Sequence, residues 1–274
     1  SSSEAREELR GFMPYIRVIS NEKGGVAKTT TTFSLGAALV ESGKKVLLVD
    51  LDPQGNLTLA NGFESGDTKY HTSEILLDDL NADDAVQNTK IINLDIIPSH
   101  PRIADAEQFL PVRTNYMQKL KNALVTMSQI YDFIILDCPP SMGAITTNAL
   151  TAADLLIIPT QAEYFSAYAL RDMMTLIRQI RKDSNPGLAY RILVTMLDQR
   201  NRTHRTIREQ LQQTFGIGLF ETVIEVDTRL RESPIIGVPI TKYRPNSRGS
   251  LQYRVLAQEL MDYVQQQKNS QPSR

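Results

Sequence analysis

The sequence lacks tryptophan and has a single cysteine, Cys138, among its 274 residues. One cysteine cannot build a disulfide framework, nor can it supply the several thiolates that an iron–sulfur cluster needs. The three histidines, His71, His100 and His204, are too dispersed to suggest a metal site. The chain therefore belongs neither to the disulfide-rich secreted proteins nor to the iron–sulfur proteins.

Long apolar runs, a signal peptide and internal repeats are also missing. We therefore expect a soluble protein of a reducing cytoplasm with no membrane span. The length fits one α/β domain, which we place at 13–268, between a polar leader or cloning remnant at 1–12 and a flexible tail at 269–274. The glutamine-rich end of the chain, 265–274, has no large apolar residue, which argues against a membrane-binding helix.

A glycine-rich segment lies between a predicted strand at 15–20 and a predicted helix at 31–41. It reads Lys23-Gly24-Gly25-Val26-Ala27-Lys28-Thr29-Thr30. The glycines let backbone amides turn inward toward phosphate oxygens, and the helix N-terminus adds further N–H groups. Lys28 would neutralise the β- and γ-phosphates, Thr29 would ligate magnesium, and Thr30 would reach the α-phosphate. The segment therefore predicts a P-loop for a nucleoside triphosphate.

Two further segments place acids at the carboxyl ends of buried strands. In 46–56 the strand ends at Asp50, and period-two alternation puts Asp52 on the same side. Such a pair can hold a magnesium-bound water or orient an attacking water. The second strand, at 131–137, ends in Asp137 before two prolines and looks like a Walker B element. Asp137 is therefore predicted to contact magnesium through water.

The P-loop departs from the general pattern, because Ala27 precedes Lys28 and a further lysine, Lys23, opens the loop. In this it resembles the deviant Walker A family that includes the ParA and MinD ATPases, whose consensus is Lys-Gly-Gly-x-x-Lys-Ser/Thr. The resemblance implies a homodimer around two ATP molecules, with Lys23 reaching the partner's nucleotide and Gly24 at the interface. It also implies that Lys23, Lys28 and Asp52 carry a slow ATP hydrolysis that needs Mg²⁺.

The remaining segments alternate between strands and helices, which predicts a doubly wound, mostly parallel α/β sheet with the P-loop after its first strand. Further strands are predicted at 94–98, 154–159 and 191–196, with a short β-prone segment at 222–224. Helices are predicted at 105–127, 167–182 and 202–214. A last helix, 251–267, has the apolar spacing of one face, formed by Leu251, Val255, Leu256, Leu260, Met261 and Val264. The resemblance is weaker between 62 and 90, where we expect a lineage-specific surface.

Charge is distributed unevenly along a chain of net charge −1. From residue 191 onward there are 13 Lys and Arg against 8 Asp and Glu. Scattered arginines suit contacts with DNA phosphates rather than with bases. The predicted DNA-binding residues are Arg200, Arg202, Arg205, Arg229, Arg231, Lys242, Arg244 and Arg248. Resemblance to ParA segments supports Arg200 and Arg229 in particular.

The sequence thus predicts a ParA-type ATPase that dimerises with ATP and binds nonspecific double-stranded DNA on the nucleoid. A ParB-like or adaptor protein would stimulate hydrolysis and release the dimer from DNA, which would segregate or position a cargo. Two alternatives stay open. One is an ATP-dependent metabolic ligase or synthetase that phosphorylates a small carboxylate, and the other is a MinD-like regulator that cycles on a membrane.

Overall fold

A computed structural model describes residues 15–64, 66–163 and 166–270 of the chain. The strands are β1 Tyr15–Ile19, β2 Val46–Asp50, β3 Gln87–Asn88, β4 Leu94–Ile97, β5 Phe133–Asp137, β6 Leu155–Gln161 and β7 Ala189–Thr195. The first helices are α1 Lys28–Glu41, α2 Asn56–Ala60, α3 Thr72–Leu77, α4 Ala82–Ala85, α5 Ala106–Phe109, α6 Lys119–Leu124 and α7 Ala144–Ala152. They are followed by α8 Ser166–Asp183, α9 Arg202–Phe215, α10 Arg229–Ile236, α11 Ile240–Tyr243 and α12 Arg248–Ser270.

The strands of the described residues form one sheet in the order β3-β4-β2-β5-β1-β6-β7. Every neighbouring pair is parallel except β3 with β4, which is antiparallel. The prediction of a doubly wound, mostly parallel sheet is therefore confirmed. The predicted leader at 1–12 lies outside the described residues, and α12 continues to Ser270, two residues into the predicted tail.

Two apolar cores lie on opposite faces of the sheet, because successive strand residues point to opposite sides. On β2, Leu47 and Val49 join one core, while Val46 and Leu48 join the other. The first core is covered by α3, α6, α7, α8 and α9, and the second by α1, α2, α10, α11 and α12. This double burial explains why the strands read as continuous apolar runs rather than as alternating ones.

Strand order brings the functional segments to one edge of the sheet. β1 lies between β5 and β6, and β5 in turn pairs with β2. The register places Asp137 beside Ile19 on one side and beside Asp50 on the other. The P-loop and both acid-bearing loops therefore start from adjacent strand ends, at the edge where open α/β sheets bind ligands.

The predicted helix at 105–127 is wrong as a single element. The structure has a 3₁₀ turn at Pro101–Asp105, the short helix α5, a second 3₁₀ turn at Tyr116–Gln118, and then α6. Pro111 lacks the N–H that a continuing helix requires, and Asn115 adopts a left-handed conformation with φ of 55°. These two residues separate α5 from α6 and allow the chain to turn between them.

Two smaller expectations also differ from the structure. Residues 222–224 form no strand, although Ile224 N donates a hydrogen bond to Val194 O over 2.9 Å. On α12, Leu251 and Val255 are 52% and 57% exposed, so they do not belong to the packed face. Tyr253, which the apolar spacing did not include, is fully buried there instead. Its hydroxyl is satisfied by Thr31 Oγ1 at 2.9 Å, which is why a polar-tipped side chain can occupy the core.

Among the described residues, no helix combines the length and the apolar character needed to cross a bilayer.

Candidate nucleotide-binding site

The loop between β1 and α1 has the backbone conformation of a phosphate cradle. Gly25 and Ala27 both have positive φ angles, of 74° and 66°. Alternation of right- and left-handed residues turns successive N–H groups toward one concavity, which suits an anion. Ala27 occupies this left-handed position although it carries a Cβ, so the loop holds some backbone strain immediately before α1.

Three polar side chains fix this loop to the neighbouring strands. Asn21 donates to Pro159 O over 2.8 Å and accepts from Lys23 N over 3.0 Å. Gln161 Nε2 donates to Gly25 O over 3.0 Å, and Thr195 Oγ1 donates to Val26 O over 3.2 Å. The cradle is therefore held in shape by contacts with β6 and β7.

Lys28 lies at the centre of the site, at the first position of α1, and is buried. Its Nζ donates to Lys23 O over 3.0 Å, which directs the ammonium back across the loop. Burial lowers the pKa of Lys28, while the carboxylates of Asp137 and Asp52 act in the opposite direction. A buried cation facing a concavity of backbone amides is suited to bind phosphate oxygens.

Lys23, in contrast, is 37% exposed at the rim of the loop. Its Nζ forms an ion pair with Glu163, which follows β6. Next to it, a Cβ on Gly24 would meet no heavy atom within 4 Å. This part of the loop therefore faces open space, and Lys23 is held at the protein surface by an acid of its own subunit.

Thr29 and Asp137 meet between α1 and β5. Thr29 Oγ1 donates to Asp137 Oδ2 over 2.7 Å, whereas Asp137 Oδ1 is buried and has no hydrogen-bond partner among the residues that the structure describes. Burial, followed by the charge of Asp50, raises the pKa of Asp137 well above its ordinary value. A buried carboxylate with one unsatisfied oxygen indicates that a cation or a water molecule belongs beside it.

Asp50 is fully buried and has its own hydrogen bonds. Its Oδ2 accepts from Thr58 N and Thr58 Oγ1 over 2.8 and 2.7 Å, and its Oδ1 accepts from Asp52 N over 3.1 Å. Burial raises its pKa to about 6 despite these bonds. The bonds from Thr58 tie α2 to the end of β2. The weak metal contact that the sequence suggested for Asp50 stays a prediction.

Asp52 follows β2 and lies at the boundary of the site, 9% exposed. Its Oδ1 accepts from Gln54 N over 2.9 Å, and its backbone oxygen accepts from Ser99 Oγ over 2.7 Å. Strand β2 ends at Asp50, so hydrogen bonds in the loop, rather than strand alternation, orient this carboxylate. Asp52 is therefore held at the edge of the cradle, where a carboxylate can meet a water molecule.

The donor set fits magnesium together with a nucleotide. Mg²⁺ usually takes one or two protein oxygens and completes its octahedron with waters and substrate phosphates. Thr29 Oγ1 and the unsatisfied oxygen of Asp137 provide such a partial set. The described residues contain no group of three or more acidic, histidine or cysteine side chains that would hold a metal alone.

Beyond Thr30, the cradle opens into a small and mainly apolar cleft of about 130 Å³. Its lining includes Ala27, Thr30, Met196, Val226 and Thr228. An apolar slot next to a phosphate cradle is suited to hold a nucleotide base.

The comparisons with known proteins agree with this geometry. A family model described as an AAA domain, AAA_31, matches residues 15–190. The sporulation initiation inhibitor protein Soj of Bacillus subtilis is 43% identical over 249 residues, which cover 90% of this chain and 98% of Soj. The chain belongs to this family of ParA-type ATPases.

Two other relatives bear on the chemistry of the ATPase. The chromosome partitioning protein ParA of Myxococcus xanthus is 37% identical and covers 92% of this chain and 90% of its own length. A Mycobacterium smegmatis protein, solved as a cobyrinic acid a,c-diamide synthase with an ATP analogue and magnesium, superimposes with a TM-score of 0.82. It is 32% identical and covers 92% of this chain and 95% of its own. The ATPase accordingly uses ATP and Mg²⁺.

The arginines predicted to bind DNA fall into separate groups on the ATPase. Arg200, Arg229 and Arg248 line one open cleft of about 530 Å³. Arg202 and Arg205 are exposed at the start of α9, and Lys242 and Arg244 are exposed on and after α11. Arg231 instead lines the small apolar cleft beside Thr30.

The sequence did not reveal the residues that hold the P-loop of the ATPase in place. The sequence could have indicated Asn21, because an asparagine between a strand and a glycine turn often anchors a loop, and Asn21 is indeed buried. Gln161 and Thr195 are the last residues of β6 and β7, and Thr195 is 169 residues from its partner Val26. No local pattern marks such partners, because only the strand order brings them together.

Proposed function

We propose that this ATPase forms an ATP-bound homodimer that binds nonspecific double-stranded DNA and leaves it after hydrolysis. A ParB-like or adaptor protein stimulates that hydrolysis, and the cycle segregates or positions a cargo over the nucleoid in the cytoplasm. The name of the Myxococcus xanthus relative, a chromosome partitioning protein, supports a role in chromosome organisation.

The observation that carries the proposal is a shared wall between two clefts. Segment 225–228 lines the small cleft beside Thr30 and also the larger cleft of Arg200, Arg229 and Arg248. A base bound in the small cleft would press on the same segment that supports the arginines. Nucleotide binding can therefore change the arrangement of the arginines without any contact between nucleotide and DNA.

Each of the three arginines faces an acid within the cleft. Arg248 pairs with Glu225 at 2.9 Å, Arg200 with Asp198 at 3.2 Å, and Arg229 with Asp227 at 3.8 Å. The arginine side chains are exposed in all three pairs, although Asp227 is buried. Ion pairs with a solvated partner are weak, so a DNA phosphate can take the place of the carboxylate. Because the acids compete for the same cations, we expect the affinity for DNA to be modest and sensitive to salt.

The exposed rim of the P-loop supports the dimer. The attraction between a cation such as Lys23 and a phosphate is weak in water. It is much stronger beside a triphosphate from which water is excluded. Since Gly24 leaves space for a second backbone to approach, two subunits can close around their nucleotides. Lys23 must then leave Glu163, so the ion pair within one subunit and the contact across the dimer exclude each other.

Within the site, we assign Lys28 to the β- and γ-phosphates and Thr30 to the α-phosphate, with backbone amides from Gly24 to Thr29 around them. Thr29 and Asp137 would hold magnesium, Asp137 through water. The ion supplies charge neutralisation and fixes the phosphate oxygens. Asp52 would orient the attacking water. In the described residues this site contains no strong base, which is consistent with a slow intrinsic rate.

The test is binding to random-sequence duplex DNA with ATP, with ADP and without nucleotide, at 50 and 200 mM salt. We expect binding only with ATP, weakening by at least about tenfold between the two salt concentrations. Equal binding in all three states would contradict nucleotide gating, and no binding in any state would remove DNA from the proposal.

Arginine variants sharpen this test. Arg200→Ala and Arg248→Ala should each lower the dependence of log affinity on log salt by about one unit without changing ATP affinity. Arg102→Ala is the matched control, because Arg102 also pairs with acids at the surface, Asp78 and Glu74, but lies after β4. A loss of DNA affinity in the control as large as in the other two variants would refute the assignment to this cleft.

The Mycobacterium smegmatis relative favours a second candidate, an ATP-dependent synthase. In that case the arginines of the larger cleft would bind the carboxylate of an acceptor, which ATP would phosphorylate. Phosphate release measured with and without cobyrinic acid and an ammonia donor separates the two functions. Release that requires the acceptor would establish the synthase, whereas release that requires only ATP and Mg²⁺ supports the positioning ATPase. Binding to liposomes would instead point to a MinD-like cycle.

A further inference from the structure

Helix α7 starts after the loop 138–143, which follows Asp137, and its own residues provide no side-chain cap for its N-terminus. Its N-cap residue is Gly143, which has no side chain, and its first turn contains no acid. The first N–H groups of a helix have no partner within the helix, and together they carry a partial positive charge. The start of α7 therefore needs an acceptor from elsewhere in the chain.

Glu107, from the short helix α5, provides that acceptor. Ala144 N donates to Glu107 Oε2 over 2.5 Å, and Ile145 N donates to Glu107 Oε1 over 3.4 Å. The carboxylate thus spans two successive amides at the positive end of α7, where a negative charge is stabilising. The contact joins residues 37 and 38 positions apart, so it connects two separate loops of the catalytic edge.

Gly143 is required for this contact. A Cβ at position 143 would lie 2.0 Å from Glu107 Oε2 and 2.6 Å from its Cδ. Any side chain at 143 would therefore push the carboxylate away from the two amides. The contact can therefore be broken by a substitution at Glu107 or, independently, by one at Gly143.

Hydrogen bonds connect the two partners of this contact, Glu107 and α7, to the loops next to Asp52 and Asp137. Ser99 follows β4 and precedes the segment with Glu107, and its hydroxyl donates to Asp52 O. On the other side, Thr146 Oγ1 in α7 donates to Ser141 O over 2.7 Å and so holds the loop that follows Asp137. Glu107 consequently links the Asp52 loop to the Asp137 loop.

We propose that Glu107 is a positioning residue for ATP hydrolysis, which fixes the loop 138–143 relative to Asp52. In this role Glu107 acts through the start of α7, by its hydrogen bonds with Ala144 N and Ile145 N. Hydrolysis depends on the placement of water and phosphate to within a fraction of an ångström, whereas binding of ATP depends chiefly on the P-loop. Removal of Glu107 should therefore slow the chemical step and leave ATP affinity in place.

The test is single-turnover hydrolysis of prebound ATP in the full chain, together with the ATP dissociation constant. We expect Glu107→Ala to slow hydrolysis about tenfold with affinity changed less than about twofold. Glu107→Gln keeps one acceptor oxygen and should fall between the wild type and the alanine variant. Asp105→Asn, which removes an exposed charge two residues earlier, is the control and should behave as wild type.

Gly143→Ala should reproduce the slow hydrolysis of Glu107→Ala, and the double variant should be no slower than the slower single one, since both remove the same contact. Additive losses would overturn the proposal. Unchanged hydrolysis in Glu107→Ala would overturn it too, as would a loss of ATP affinity as large as the loss of rate, which would indicate a structural role only.

Discussion

The hydroxyl of Thr29 donates to Asp137 Oδ2 over 2.7 Å, so a hydrogen bond joins the first turn of α1 to the end of β5. Among the described residues, the other carboxylate oxygen of Asp137 has no hydrogen-bond partner and is buried. Such an oxygen is suited to contact a cation but lowers stability, because a buried polar atom without a partner is unfavourable. The charge of Lys28 opposes part of this cost.

This buried charge predicts an unusual pH dependence of stability. Burial raises the pKa of Asp50 to about 6 and that of Asp137 well above its ordinary value. The folded chain therefore binds protons that the unfolded chain releases near pH 4. The resulting stabilisation is complete below about pH 4 and is lost as the pH rises through about 6. The free energy of unfolding of the nucleotide-free protein should decrease over that interval.

Asp137→Asn tests the same charge directly. The amide keeps an acceptor for Thr29 and removes the buried negative charge, so the free energy of unfolding at pH 7.5 should rise by on the order of 1 kcal/mol. The stabilisation by ATP and Mg²⁺ should shrink at the same time. Urea unfolding at pH 4, 5, 6 and 7.5 measures both effects, with Asp105→Asn as an exposed control. An unaltered pH profile in Asp137→Asn would show that this carboxylate is not the source.

A second prediction separates binding from hydrolysis. Lys28→Ala removes the buried ammonium that faces the phosphates, and we expect ATP affinity to fall at least about 100-fold. Asp52→Ala should leave the affinity nearly unchanged and give a long-lived ATP dimer, because it removes only the residue that orients water. Equilibrium ATP binding and light scattering measure the two properties. Equal loss of nucleotide in both variants would refute the division of roles.

A third prediction concerns Gly24. Because a Cβ there meets nothing within its own subunit, Gly24→Val should fold and bind ATP normally but fail to dimerise. Gly66→Val is a matched control, since Gly66 is an exposed loop glycine with equally open surroundings. The mass in solution with ATP and Mg²⁺ is the measurement. A normal ATP dimer in Gly24→Val would rule out the interface at this loop.

A fourth prediction concerns the strained residue of the P-loop. A left-handed alanine costs roughly 1–2 kcal/mol, so Ala27→Gly should raise the free energy of unfolding. The greater freedom of glycine in the unfolded chain offsets part of this, which leaves a gain of about 0.5 kcal/mol. Ala38→Gly, inside the same helix α1, should instead destabilise by about 1 kcal/mol or more. Destabilisation by Ala27→Gly in urea unfolding would show that the loop is not strained there.

Local sequence patterns predicted the parts of the site that follow one another in the chain. The P-loop lies between β1 and α1 as its glycines and flanking apolar residues indicated, and Asp137 ends its strand. Prediction failed where distant parts of the chain decide the outcome. Period-two spacing paired Asp50 with Asp52 but could not show the hydrogen bonds that Thr58 donates to Asp50. The spacing on α12 likewise could not show that Leu251 points to solvent.

By itself, the sequence determined the type of fold, the phosphate cradle and the acids at the strand ends. The order of strands and helices, the glycine turn and the positions of the acids can all be recognised in short stretches of sequence. The tertiary structure alone decided how these parts meet. Strand order placed Asp137 between Asp50 and the P-loop, held Lys23 against Glu163, and brought Glu107 to the start of α7. Such contacts arise from the closure of loops over long stretches of chain, and no local sequence pattern records them.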